Sequence, residues 1–291
     1  MVEESYAYAI AAVIMWSTVA SAFKITLKYL DFLQMLFYAS MVSLLLFLAV
    51  LLLQNKLILL KTYSRKEYLR SLLLGFLNPY LYYSALFEAY SLLPAQEALT
   101  LNYTWPIMVV IFSIVLLKQK IGWRSIFAIL LSFFGVIFTL SHGNLLELSF
   151  SNSLGVLLAF CSAVIWALFW IFNMKDMRDE VAKLFLNFAF GFFFLSISIL
   201  LLSGLVVPPL IGFLGAVYVG LFEMGATFLV WLRALKLSKT TAQVSNFIYL
   251  VPFLSLFLIH FIVGETILFS TIVGLVFIVS GIMLQQFFTR R

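Results

Sequence analysis

The chain has 291 residues, of which 64% are hydrophobic, 18% aromatic and only 10% charged, and its mean hydropathy is +1.13. A water-soluble domain is about a quarter charged and about half apolar, and a chain of this size could not hide so much apolar surface in one aqueous core. Soluble enzymes and nucleic-acid binders are thereby excluded, so the net charge of +6 and the pI near 9.3 need another origin.

The N-terminal MVEESYAYAI places acids where a signal peptide would carry Lys or Arg. The apolar stretch that follows is long and lacks a small-residue cleavage pattern, so it is expected to stay as a first membrane span. A helix needs about 20 mostly apolar residues to cross the hydrocarbon core. Ten such stretches are predicted, at 6–27, 32–53, 69–90, 94–117, 123–141, 153–173, 182–203, 209–232, 241–263 and 267–288. The longest connection, 54–68, is too short for a folded domain. The stretches have helix length and lack the polar alternation of an outer-membrane barrel. An all-α membrane protein of ten transmembrane helices is the expected fold.

Trp16 stands in the first span, although Trp normally prefers the membrane interface. Asn78-Pro79 interrupts the third, followed by Tyr80, Tyr82 and Tyr83. Proline frees a backbone carbonyl, which in a bilayer must find a neighbour or face a cavity. Asn78 is a candidate for that neighbour or for a solute ligand. In the fourth span Glu97, Thr100 and Thr104 share a helix face, Gln96 and Tyr103 form an adjoining stripe, and Asn102 and Trp105 lie further around. The stripe suits water or solute; the alternative for Glu97, as for Glu88, is a carboxylate at headgroup level. Cys161 and Trp166 fall in the sixth span. A lone cysteine permits no internal disulfide, and His142 and His260 lack metal-ligand spacing, so neither metal nor cofactor is expected.

Glu223 lies near the centre of the eighth span, between Gly220 and Gly225, and is the deepest acid in the sequence. Buried charge at mid-bilayer costs about 2.5–3.5 kcal/mol on insertion scales. Glu223 is therefore read as a coupling group, with Glu97 as a second candidate; a structural acid that hydrogen-bonds a neighbouring helix is the competing reading. In the ninth span Gln243, Asn246 and Tyr249 recur every three residues. They would line a cavity or tie helices together, the latter worth about 0.6 kcal/mol per bond.

With the N-terminus inside, sixteen of the 18 Lys and Arg fall on the cytoplasmic side, and only Lys24 and Lys28 on the other. This positive-inside bias supports ten spans with both termini cytoplasmic and accounts for the basic pI without nucleic acid. An offset of 146 residues superposes Tyr103 on Tyr249, Pro106 on Pro252 and Gly135 on Gly281, and one of 150 superposes Trp16 on Trp166. Residues 1–145 and 146–291 thus read as two five-helix repeats. An odd helix number inserts the second copy from the opposite face, which gives an inverted repeat with a site at the interface.

These features resemble the drug/metabolite transporter superfamily, specifically its EamA-like ten-helix members: the five-plus-five repeat, Trp16 and Trp166, Pro106 and Pro252, and a Gly264-Glu265 pair like the family's habitual GE. The first half departs from that motif, with Lys118-Gln119 at the matching positions. The resemblance implies export of small organic solutes such as amino acids or metabolites, with an aromatic lining similar to that of the aromatic amino acid exporters. The expectation is a non-enzymatic secondary transporter in the cell membrane, an exporter working by alternating access with proton coupling as an option. Direct ATP drive is out, because no G-x-x-x-x-G-K-[ST] motif occurs. Its substrate site would use Trp16, Asn78, Tyr82, Tyr103, Trp105, Trp166, Gln243, Asn246 and Tyr249. The expected partners are a small-molecule substrate and the lipid bilayer, with a homodimer left open. The alternatives are a membrane-embedded lipid-modifying enzyme, for which no catalytic cluster is seen, and a passive channel, for which no filter-like loop is seen.

Overall fold

A computed structural model describes residues 2–118, 122–144, 151–238 and 246–289. Among the described residues every regular element is helical. Among the described residues, eight helices are long and apolar enough to cross a membrane, with a shorter apolar helix at Phe247–Val263.

Polar residues at the helix starts satisfy amides that have no partner within the helix. Asp31 opens α2 (Phe32–Leu53), accepting from the amides of Leu33 at 2.9 Å and Gln34 at 3.0 Å. Asn152 opens α9 (Ser153–Met174) through the Gly155 amide, and Asp179 opens α10 (Glu180–Ser198) through those of Val181 and Ala182. Ser64 and Glu67 form a reciprocal capping box at the start of α4 (Arg65–Gly75), which follows the short α3 (Ile58–Thr62).

Several helical stretches are broken, each for a local reason. Between α4 and α5 (Tyr82–Leu92) lies a π-turn, Phe76–Leu81, in which Asn78 is extended at φ −145°, ψ 119°. Residues before proline avoid the helical region, and Pro79 has no amide to donate. That break is why the stretch around 69–90 is not one continuous helix. Ala95–Asn102 (α6) and Trp105–Leu117 (α7) are separated at Tyr103 and Thr104, with Pro106 at the second position of α7, where its missing N–H costs nothing. Leu210–Phe222 (α11) and Ala226–Leu237 (α12) are separated at Glu223–Gly225, and the Thr227 hydroxyl takes the carbonyl of Phe222. A 3₁₀ turn, Asn246–Leu250, precedes α13 (Val251–Leu258), with Pro252 again at its second position.

The two halves interleave. Helix α1 (Val2–Thr26) packs against α11, α12 and α13, while α9 packs against α5, α6 and α7; α2 touches α10 and α11. The most extensive pairing joins α8 (Trp123–Leu140) to the last helix, α14 (Phe269–Thr289). Small residues make it possible: a Cβ on Gly135 would collide with the Gly274 carbonyl, and one on Gly281 with Ser132 and the Ala128 carbonyl. Ser132 donates across the seam to the Ile278 carbonyl at 3.1 Å. Helices in lipid associate through such close backbone approach and not through the hydrophobic effect.

The helix exteriors expose large apolar side chains, such as Leu53 at 83% and Leu201 at 77%. An aqueous monomer rarely tolerates such a surface; facing acyl chains, it costs nothing. One end of the bundle is basic and tied by ion pairs: Lys56 to Asp179 at 2.7 Å, and Arg178 to Asp176 at 2.6 Å and to Ser71 at 2.8 Å.

Candidate functional site: an aromatic cavity with one carboxylate

The breaks at Tyr103, at Glu223 and at Ile248 and Tyr249 meet at a cavity of about 490 Å³, within the size range of small-molecule sites. It is walled by Trp16, Trp105, Trp166, Trp170 and Trp231, and by Tyr82, Tyr90, Tyr103 and Tyr249. Phe228 bridges the first helices of the two halves, with ring centroids 5.8 Å from Trp16 and 6.1 Å from Trp166. Tyr82 stacks on Trp166 at 4.5 Å. Glu223 enters this wall at the α11–α12 break. Its Oε1 accepts from the Tyr83 hydroxyl at 3.2 Å, and its backbone carbonyl accepts from the Trp16 indole at 3.4 Å. Among the described lining residues it is the sole charged group; the remaining polar lining includes Asn102, Gln285 and Gln286.

The cavity is asymmetric along the bundle. Towards the basic end it reaches Leu235 and Met174, the latter 57% exposed. At the opposite end it stops at the buried Phe23 and Tyr90, whose ring centroids are 5.1 Å apart. Beyond them, hydrogen bonds cross between the halves. Glu265 accepts from the Ala95 amide at 2.8 Å and the Gln96 amide at 3.3 Å. The Gln96 side chain holds Thr266 O at 3.0 Å, Leu268 N at 2.9 Å and Thr271 Oγ1 at 3.0 Å. Lys24 donates to the carbonyls of Tyr90 and Leu93 at 2.9 and 2.8 Å.

Of the residues expected from sequence, the cavity brings together Trp16, Tyr82, Tyr103, Trp105, Trp166, Tyr249 and Glu223. It does not include Asn78, which is buried at the π-turn with its Oδ1 unpartnered by protein. Nor does it include Glu97, which is 3% exposed and bonded to His142 Nε2 at 3.0 Å and Ser151 Oγ at 2.7 Å. Glu97 is therefore neither a carboxylate in headgroup water nor a cavity group. Thr100 and Thr104 bond back to carbonyls of their own span and lie outside the cavity lining, whereas Asn102 and Tyr103 meet the cavity. Gln243 lies outside the described residues, as does the side chain of Asn246.

The sequence reading passed over Trp170, Trp231, Tyr90, Gln285 and Gln286. Trp170 carried a usable signal, since four residues after Trp166 it shares that helix face. So did Gln285-Gln286, two adjacent amides in the last turns of an apolar span.

Long apolar helices with lipid-compatible exteriors around an internal cavity define a multi-pass membrane protein. The model of the EamA-like transporter family matches residues 4–141 and again 153–285. The chain belongs to that family. A protein of Clostridium kluyveri described as an uncharacterized transporter is 28% identical over 196 residues, covering 64% of this chain and 62% of its own. One of Archaeoglobus fulgidus, described in the same words, is 26% identical over 226 residues, covering 76% and 77%. The chain thus spans somewhat less than two thirds of the first relative. A solved crystal structure aligns with 100% of this chain and 99% of its own at a TM-score of 0.67 and 21% identity, a likeness of fold.

Proposed function

We propose that the protein is a secondary transporter that exports small organic metabolites by alternating access, through ten spans arranged as two inverted five-helix repeats. The observation that carries this reading is the cavity itself: walled by both halves, reaching one end of the bundle and sealed at the other by hydrogen bonds between the halves.

Repeat symmetry supports it. The same offset of 146 that matches Tyr103 with Tyr249 also matches the break at Asn78 and Pro79 with that at Met224 and Gly225. Ser132 and Ile278, hydrogen-bonded to each other, are matched positions as well. Helix α1 contacts the broken helices of the second half as α9 contacts those of the first. Paired discontinuous helices at a repeat interface are the usual setting of a transporter's midplane site.

Orientation follows from charge. The cavity extends toward the end rich in Lys and Arg, which the positive-inside bias assigns to the cytoplasm, so this conformation is open to solute from within the cell. Both termini are then cytoplasmic and the host bilayer is the cell membrane. Coupling is assigned to Glu223. The other titratable groups of the described lining are tyrosines, which in water hold their protons up to about pH 10, so Glu223 alone exchanges a proton at lower pH. In proteoliposomes, uptake is expected to be saturable, to show counterflow, and to vary with pH. Glu223→Gln should abolish the pH dependence, and an unchanged pH profile in that variant would remove the coupling role.

A further inference from the structure

We infer that the solute this cavity recognises is a monovalent organic cation, an aromatic or quaternary amine, and not an anion or a zwitterionic amino acid. The inference rests on the carrier reading above and narrows it to a class of substrate. Three observations combine.

The first is the charge inventory. Glu223 sits in the wall with Tyr83 as its hydrogen-bond donor, and among the described lining residues no Lys, Arg or His accompanies it. A carboxylate out of water needs a counter-charge or a proton. Lys24, at the closed end and outside the lining, is committed to the carbonyls of Tyr90 and Leu93.

The second is the wall. Indole and phenol rings carry negative electrostatic potential on their faces and attract ammonium groups, Trp most strongly. Trp16 meets Phe228 and Trp231 edge-on or tilted, at 85° and 59° between planes, whereas Trp166 is stacked on Tyr82 and Phe169. Glu223 is fixed beside this group because the Trp16 indole N–H is bound to its carbonyl.

The third is what an anion would meet. Its charge would face Glu223 and the aromatic faces, with only neutral hydroxyl, indole and amide donors to replace its hydration. An amino acid could place its ammonium at Glu223, but its carboxylate would have no cation to pair with among the described lining. A solute carrying positive charge alone has a partner for every part, and the volume of about 490 Å³ admits one with several rings.

The test uses two ions of the same shape and opposite charge, tetraphenylphosphonium and tetraphenylborate, with the full-length protein in nanodiscs. Binding is read by tryptophan quenching and by the thermal midpoint, which rises with ligand saturation. The phosphonium is expected to quench saturably and raise the midpoint while the borate does neither. Glu223→Gln should weaken phosphonium binding at least about tenfold, with Glu223→Asp recovering part of the loss. Borate binding as tight as phosphonium binding, binding of neither ion, or undiminished phosphonium binding by Glu223→Gln overturns the inference. If Glu223→Gln does not fold, the comparison of the two ions on the unaltered protein still decides. Counterflow separates this from the carrier reading: saturable borate counterflow would keep the carrier and discard the cation, whereas phosphonium binding without counterflow would do the reverse.

Discussion

Glu97 and Glu223 are both acids within apolar stretches, yet their surroundings divide their roles. Glu97 is closed in by His142 and Ser151, whereas Glu223 opens on the cavity. Sequence depth singled out Glu223, which lines the cavity; it could not divide the fourth span between a bonded face and a cavity face. Helical spacing says which side chains share a face, but the neighbour that face meets, here residues 266–271 for Gln96, lies far along the chain. Asp176 offers a test at the same scale outside the membrane. Its side chain is 0% and that of Arg178 5% exposed, at 2.6 Å. Burial acts to raise the Asp176 pKa, but the hydrogen bonds and charge of Arg178 and the charge of Lys183 outweigh it, and the carboxyl sits below its usual value. A depressed folded pKa gives stability that is present above the unfolded value of about 3.9 and lost as pH falls through the folded one. Asp176→Asn should therefore lower stability by about 3 kcal/mol at neutral pH, the cost of leaving one member of a buried pair alone. The deficit should shrink on acidification below about pH 4. Equal unfolding midpoints for the two proteins at pH 7 would contradict the assignment.

Among the elements, the closed end and the α8–α14 seam make separate demands. Replacing Gln96 by Ala removes the acceptor for Leu268 N and Thr271 Oγ1 and the donor to Thr266 O. Hydrogen exchange at the Leu268 amide should then speed up about tenfold, as expected for a lost bond worth about 1–1.5 kcal/mol. Exchange at an unaltered rate would show that these contacts do not hold the end shut. In the seam, Gly135→Leu meets the Gly274 carbonyl and should prevent the native pairing, seen as loss of a cooperative thermal transition. Gly122→Ala, where an added Cβ meets nothing within 4 Å, should change stability by no more than about 0.5 kcal/mol. The helical stretches were legible from hydropathy because apolar length is all that spanning requires. Their breaks were legible only where proline marked them, at Asn78-Pro79, Pro106 and Pro252. The break at Glu223–Gly225 contains no proline and depends on Gly225 adopting φ −121°, ψ −91°, a conformation that its sequence neighbours do not announce.

At the scale of the whole molecule, the proposed alternating access requires the cavity to open at each end in turn, and the proposed inverted repeat would supply the second conformation from the same sequence. The offset of 146 was readable because matched Tyr, Pro and Gly residues survive in both halves. Which helices would interleave was not, since apolar faces carry no partner code. The account stands most directly on two-sided accessibility. A single cysteine at Leu86, in the cavity wall, in a Cys161→Ser background, is to be treated in oriented proteoliposomes with a membrane-impermeant maleimide from either face. At rest the reagent is expected to label from the basic end alone, and during counterflow from the opposite end as well, with a Gln96→Cys/Thr271→Cys cross-link between the halves abolishing both that second labelling and transport. Labelling from both faces at rest, or transport that continues with the cross-link in place, would contradict alternating access.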